Sequence, residues 1–120
     1  MHARSHESVT NLHQLQEELL AKAHASGAGR AAATVYGGRD SILRQTALAL
    51  TGGAELAEHD SPPEATLQVL TGRIVLRGAD REWQLAAGEL APIPPERHAV
   101  DAVEDSVFLL TVRRAVADGS

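Results

Sequence analysis

The chain has 120 residues, 43% of them apolar, and eleven basic against sixteen acidic side chains give a formal net charge of −5. That length suits one domain with one core, needing no metal or disulfide staple. With no cysteine present, disulfides, thiolate metal sites and cysteine nucleophiles are excluded, so any metal must be held by His, Asp or Glu.

Other exclusions follow from the same composition. There is no basic cluster and only one each of Trp, Tyr and Phe, so phosphate tracking and base stacking lack their parts, and nucleic acid is not an expected partner. The opening residues, MHARSHESVT, hold no apolar run of the signal-peptide kind, and no stretch of about 18 apolar residues occurs anywhere. A soluble, cytoplasmic protein without membrane contact is the expectation.

In chain order, Met1 to Thr10 is polar and reads as a loose tail, with His2 and His6 as solvated bystanders. Leu12, Leu15, Leu19 and Ala23 then recur at helical spacing, with Asn11 at the N-cap position, Gln14 three residues on, and Gly27 closing the run. One amphipathic helix of about four turns is predicted, its Leu stripe lying on the outside of a barrel or against a second subunit. His13 and His24 sit beside that stripe as surface residues. A strand is expected from Arg30 to Tyr36, stopped by Gly37 and Gly38. In the next strand Ile42, Arg44, Thr46, Leu48 and Leu50 share one face, and Leu43, Gln45, Ala47 and Ala49 the other. Apolar residues on both faces predict a central strand covered on both sides. From Gly52 on, turn signals arrive at short intervals (Pro62-Pro63, Thr71-Gly72, Ala87-Gly88, Pro94-Pro95, Glu104-Asp105) between short aliphatic runs. That rhythm predicts an antiparallel sandwich or barrel. Trp83 reads as a barrel-packing residue, and Asp101, Glu104 and Asp105 as a solvated turn.

Two stretches resemble the paired motifs of the cupin family. Gly53, five residues, His59 and the closing Gly72 fall in register with the first; Gly88, five residues and Pro94 fit the second, with His98 one residue early. The resemblance covers roughly residues 41 to 112 and implies a mainly β fold, a double-stranded β-helix or jelly-roll barrel preceded by one N-terminal helix. The division expected is a tail and helix over 1–28, the barrel over 29–116, and a frayed tail over 117–120. Departures from the family's metal-binding pattern are specific. Ser61 stands where the family has its second histidine, Ala65 where it has a glutamate, and Glu96 where it has a glycine.

His59 and His98 remain at family positions, and Glu64 is one residue from the glutamate position, where the Ser61-Pro62-Pro63 turn could rotate it inward. Strand alternation puts Ala57, His59 and Ser61 on one face, which the resemblance implies is the inner one. Three functions are open. In one, His59, Glu64 and His98 hold one divalent metal (Fe, Mn, Ni or Zn) in an enzyme of the dioxygenase or isomerase type. In another, the barrel is a metal-free binding or regulatory module for a small apolar or carboxylated ligand, with His98, Arg44 and Gln45 as polar anchors. In the third, His98 or His59 carries protons in a metal-free acid-base catalyst. The family resemblance and the Leu stripe imply a homodimer.

Overall fold

The computed structural model describes residues 9–59 and 62–114. The two outer tails, with His2 and His6, and Ser61 lie outside these residues, as do the side chains of Glu58 and His59. One helix, α1 (Leu12–Ala25), precedes nine strands: β1 (Arg30–Tyr36), β2 (Leu43–Leu50), β3 (Glu55–His59), β4 (Glu64–Thr71), β5 (Arg73–Arg77), β6 (Glu82–Ala86), β7 (Leu90–Pro92), β8 (His98–Ala102) and β9 (Ser106–Arg113). They form a five-stranded sheet, β1-β2-β9-β4-β7, and a four-stranded sheet, β3-β8-β5-β6. Every pairing among them is antiparallel. This is the two-sheet barrel that the spacing of turn residues predicts.

Period-two alternation sorts the side chains onto the two faces of each sheet. Leu50, Leu67, Val69 and Phe108 from the larger sheet meet Ile74, Leu76, Leu85 and Val100 from the smaller one in a closed core. Trp83 packs against that cluster as expected, and Arg81 lies over its ring at 5.0 Å from the centroid. The opposite face of the larger sheet carries the helix. Leu15, Leu19 and Ala23 are buried against Ala47, Ala49 and Val107, so the helix covers the outside of the barrel and β2 is enclosed on both sides. Burying each leucine contributes roughly 1.5–3 kcal/mol.

Caps fix the helix ends. Asn11 Oδ1 accepts from the Gln14 amide at 3.0 Å, which satisfies one of the orphan donors of the first turn. The helix stops one residue before Gly27: Ser26 is already extended, and its amide donates to the Ala23 carbonyl. Two further contacts hold the helix to the sheet. Gln16 meets Thr71 through their side chains, and His24 Nε2 lies 2.6 Å from Asp105 Oδ2. Asp105 also accepts from the Gly52 amide at 2.9 Å. That amide first, and His24 second, hold the Asp105 carboxyl below the usual carboxylate range. The acidic turn is thus a junction between helix, β2 and β9. On the outer face of the smaller sheet Arg77 binds both Asp101 and Glu55, and these partners hold its guanidinium in the charged form.

One turn requires glycine. Gly72 joins β4 to β5 at φ +89°, and a Cβ there would overlap the Asp105 carbonyl and Ser106 Oγ. Buried Ser106 fills that corner by accepting from the Arg73 amide at 3.0 Å.

Candidate functional site

The connections β1–β2, β3–β4 and β7–β8 all lie at one end of the barrel. Leu43, Arg113 and Glu64 are level across the larger sheet there, and His59 and His98 are level across the smaller one. The inner face near this end is built from Ala65 and Leu67 of β4, Leu110 and Val112 of β9, and Thr46 and Arg44 of β2, as the register Arg44↔Val112↔Ala65 and Thr46↔Leu110↔Leu67 requires. Ile93, just before the 94–97 loop, is buried in the same core, and its amide donates to the Ala65 carbonyl at 2.9 Å. Aliphatic walls with few polar groups are the usual make-up of a small-molecule pocket.

His98 is the buried polar residue of this end, at 2% exposure. It shares its face with Val100 and Ala102, which both belong to the core. Its Nδ1 lies 3.1 Å from the carbonyl of Glu96. A carbonyl oxygen has no proton to give, so Nδ1 carries the hydrogen and Nε2 is the basic nitrogen of the neutral ring.

The backbone of His59 pairs with that of His98 across β3 and β8. Between Leu56 and His59 the ladder slips: three steps along β3 match two along β8, from Leu56↔Val100 to His59↔His98. The extra residue is a bulge, and it reverses the phase of alternation. Leu56 packs against the core and Ala57 is exposed, so Ala57 is not on the inner face where simple alternation places it. No local sequence signal marks this bulge.

Glu64 lies on the outer face. It is 72% exposed and accepts from Arg113 Nε at 2.6 Å, while its neighbour Ala65 packs against the core. The Pro62-Pro63 turn does not rotate it inward. Glu64 and His98 are not brought together, and among the described residues no group of three or more His, Asp or Glu is placed to hold a metal ion. Of the three expected donors, the His59 side chain lies outside the described residues, and Glu64 is turned to solvent on the outer face while His98 is buried on the inner one. Gln45 is also outside, donating to Thr111 Oγ1 at 3.2 Å; Arg44, half-buried on the inner register, remains of that pair.

An open cavity of about 420 Å³ lies at the rim, lined by Ile42, Leu43, Thr66 and the Glu64–Arg113 pair, with Ala65 and Val112 shared with the inner face. No helix among the described residues is long and apolar enough to cross a membrane.

No family model matches the chain, and no curated protein matches it. Solved structures do. A conserved protein of unknown function from Streptococcus pyogenes is similar at 24% identity and a TM-score of 0.72, over 95% of this chain and 93% of that one. An RmlC-like cupin from Shewanella frigidimarina is similar at 20% identity and a TM-score of 0.64, over 78% of this chain and 84% of that one. The cupin domain of an XRE family transcriptional regulator from Enterobacter cloacae is similar at 11% identity and a TM-score of 0.62, over 72% of this chain and 98% of that one.

Proposed function

We propose that this chain, whose fold is the cupin barrel, is a metal-independent binding protein that holds a small carboxylate-bearing ligand with an apolar body at the mouth of the barrel. The observation that carries the reading is the phase of β4: Ala65 faces in and Glu64 faces out to Arg113. Among the described residues, the inner face there offers an anion no competing carboxylate. His98 and Arg44 supply the polar ends of the site, and Ala65, Leu67, Leu110 and Val112 its walls. The Nδ1 proton of His98 is committed to the Glu96 carbonyl, so a ligand carboxylate would be met by Nε2–H of the imidazolium and by the Arg44 guanidinium. On that arrangement binding takes up a proton, so affinity falls as pH rises. A sensory role agrees with the neighbour that is a regulator's cupin domain, a fold-level analogy.

The test is thermal stabilisation by aliphatic and aromatic monocarboxylates against their isosteric amides, with and without chelator. Carboxylates at about 100 times their Kd should stabilise by about 2.7 kcal/mol, amides should not, and chelator should change nothing. His98→Gln and Arg44→Gln should each remove the effect. Stabilisation that appears only with added Fe, Mn, Ni or Zn and disappears on chelation would replace this reading with a metal-dependent one.

We also propose a homodimer. Among the described residues the outer strand β1 has an unpaired edge, and Ala32 and Thr34 on the face turned away from the helix are exposed, a strand edge open to pairing. Light scattering on the eluting peak, giving one or two chain masses, decides it.

A further inference from the structure

We infer that Glu96 is a positioning residue for His98, its side chain clamping the peptide whose carbonyl sets the imidazole tautomer. The inference rests on His98 being the polar anchor of the proposed site. Glu96 works at two points. Its carboxylate reaches the tip of the β5–β6 hairpin, where Oε2 accepts from the Ala79 amide at 2.6 Å and Oε1 lies 3.6 Å from Arg81 Nη2. Its carbonyl accepts from His98 Nδ1. A carboxylate accepting from a main-chain amide is a charge-assisted bond, stronger than a neutral one.

The surroundings are shaped to admit this side chain. A Cβ on Gly78 would overlap Glu96 Oε2, so a bare α-carbon is what lets the carboxylate reach Ala79. The hairpin tip is itself closed by the Gly78 amide donating to the Arg81 carbonyl at 2.8 Å, and the Arg81 guanidinium lies over Trp83 on the barrel wall. On the other side, the Glu96 amide donates to the Pro94 carbonyl at 2.8 Å, and two prolines limit how the loop can bend. Without the clamp, the 96–97 peptide has lost its side-chain tether to the smaller sheet. The carbonyl is then free to turn from His98, and Nδ1 loses the acceptor that favours its protonated tautomer. The same residue stands where the family pattern has glycine, which has no side chain to make such a clamp.

The test reads the ring directly and needs no ligand, so it stands or falls separately from the binding proposal. Nitrogen chemical shifts of the ring are measured in the unliganded protein at a pH where it is neutral, with the His98 signals assigned by their loss in His98→Gln. Wild type should show one tautomer, Nδ1–H. Glu96→Ala should lower the share of that tautomer and move both shifts away from their wild-type values, and Glu96→Gln, whose amide oxygen can still accept from Ala79, should restore the wild-type pattern. Ala79→Pro removes the donor without touching residue 96 and should reproduce the alanine result, which keeps the test available if Glu96→Ala does not fold. A wild-type Nε2–H tautomer, an unchanged pattern in Glu96→Ala or Ala79→Pro, or a Gln variant as shifted as the Ala variant would overturn the inference.

Discussion

Adjacent residues on β4 should respond in opposite ways to substitution. Glu64 is 72% exposed and its partner Arg113 47%, so Glu64→Ala removes one solvated ion pair. Such pairs contribute at most about 0.5–1 kcal/mol. The neighbouring change, Ala65→Glu, pushes a carboxylate toward Leu67, Leu110 and Val112 on the inner face, with no described acidic or basic group placed level with it other than Arg44. An unsatisfied polar group in such a place costs roughly 2 kcal/mol or more. At roughly 4 °C per kcal/mol for a domain of this size, Tm should fall by about 4 °C or less in the first variant and by on the order of 10 °C in the second. Calorimetry at neutral pH, with urea titration as a second measure, separates them. If Glu64→Ala proves the more damaging of the two, the assignment of faces on β4 is wrong, and Glu64 returns as a candidate metal ligand inside the barrel.

Leu19→Ala should cost about 2–5 kcal/mol, since Leu19 is buried at the centre of the helix–sheet contact; a loss under about 1 kcal/mol by urea titration would mean the helix is not held by its leucine stripe. Asp105 should contribute to acid sensitivity. Its carboxyl is held below the ordinary value by the Gly52 amide and His24, so the folded state prefers the carboxylate, the stabilisation is present above the ordinary aspartate range, and it is lost as pH falls through the folded pKa. Asp105→Asn should flatten that part of the stability–pH curve, and a curve of unchanged slope would remove Asp105 from the account.

Much of the architecture is legible in local chemistry. Gly and Pro at the turns, and aliphatic alternation between them, mark the strands, because a backbone that must reverse needs residues free of the usual φ/ψ limits or already fixed within them. The helix is equally local, since its cap lies three residues from its partner and its stripe repeats at i, i+3 and i+4. Arg44 and His98 are singled out as candidates by the same means, His98 through a motif and Arg44 as a charge on an apolar strand.

The chemistry of the mouth turns instead on contacts between residues far apart in the chain. Whether residue 64 or 65 faces inward depends on the pairing of β4 with β9, some 49 residues away at Glu64 and Arg113, and no property of the Pro-Pro turn decides it. The phase of β3 depends on a bulge created by its match to β8. His24 and Asp105 are 81 residues apart, so a surface histidine and an acidic turn become one junction only when the helix lies across the sheet. Glu96 reads in the sequence as a departure from a glycine position; the hairpin that receives its carboxylate, 17 residues earlier at Ala79, is what gives it a task. Turn and helix propensities act over a few residues and so are written in the sequence itself, whereas side-chain direction at a strand position is fixed by register, which only the assembled sheets supply.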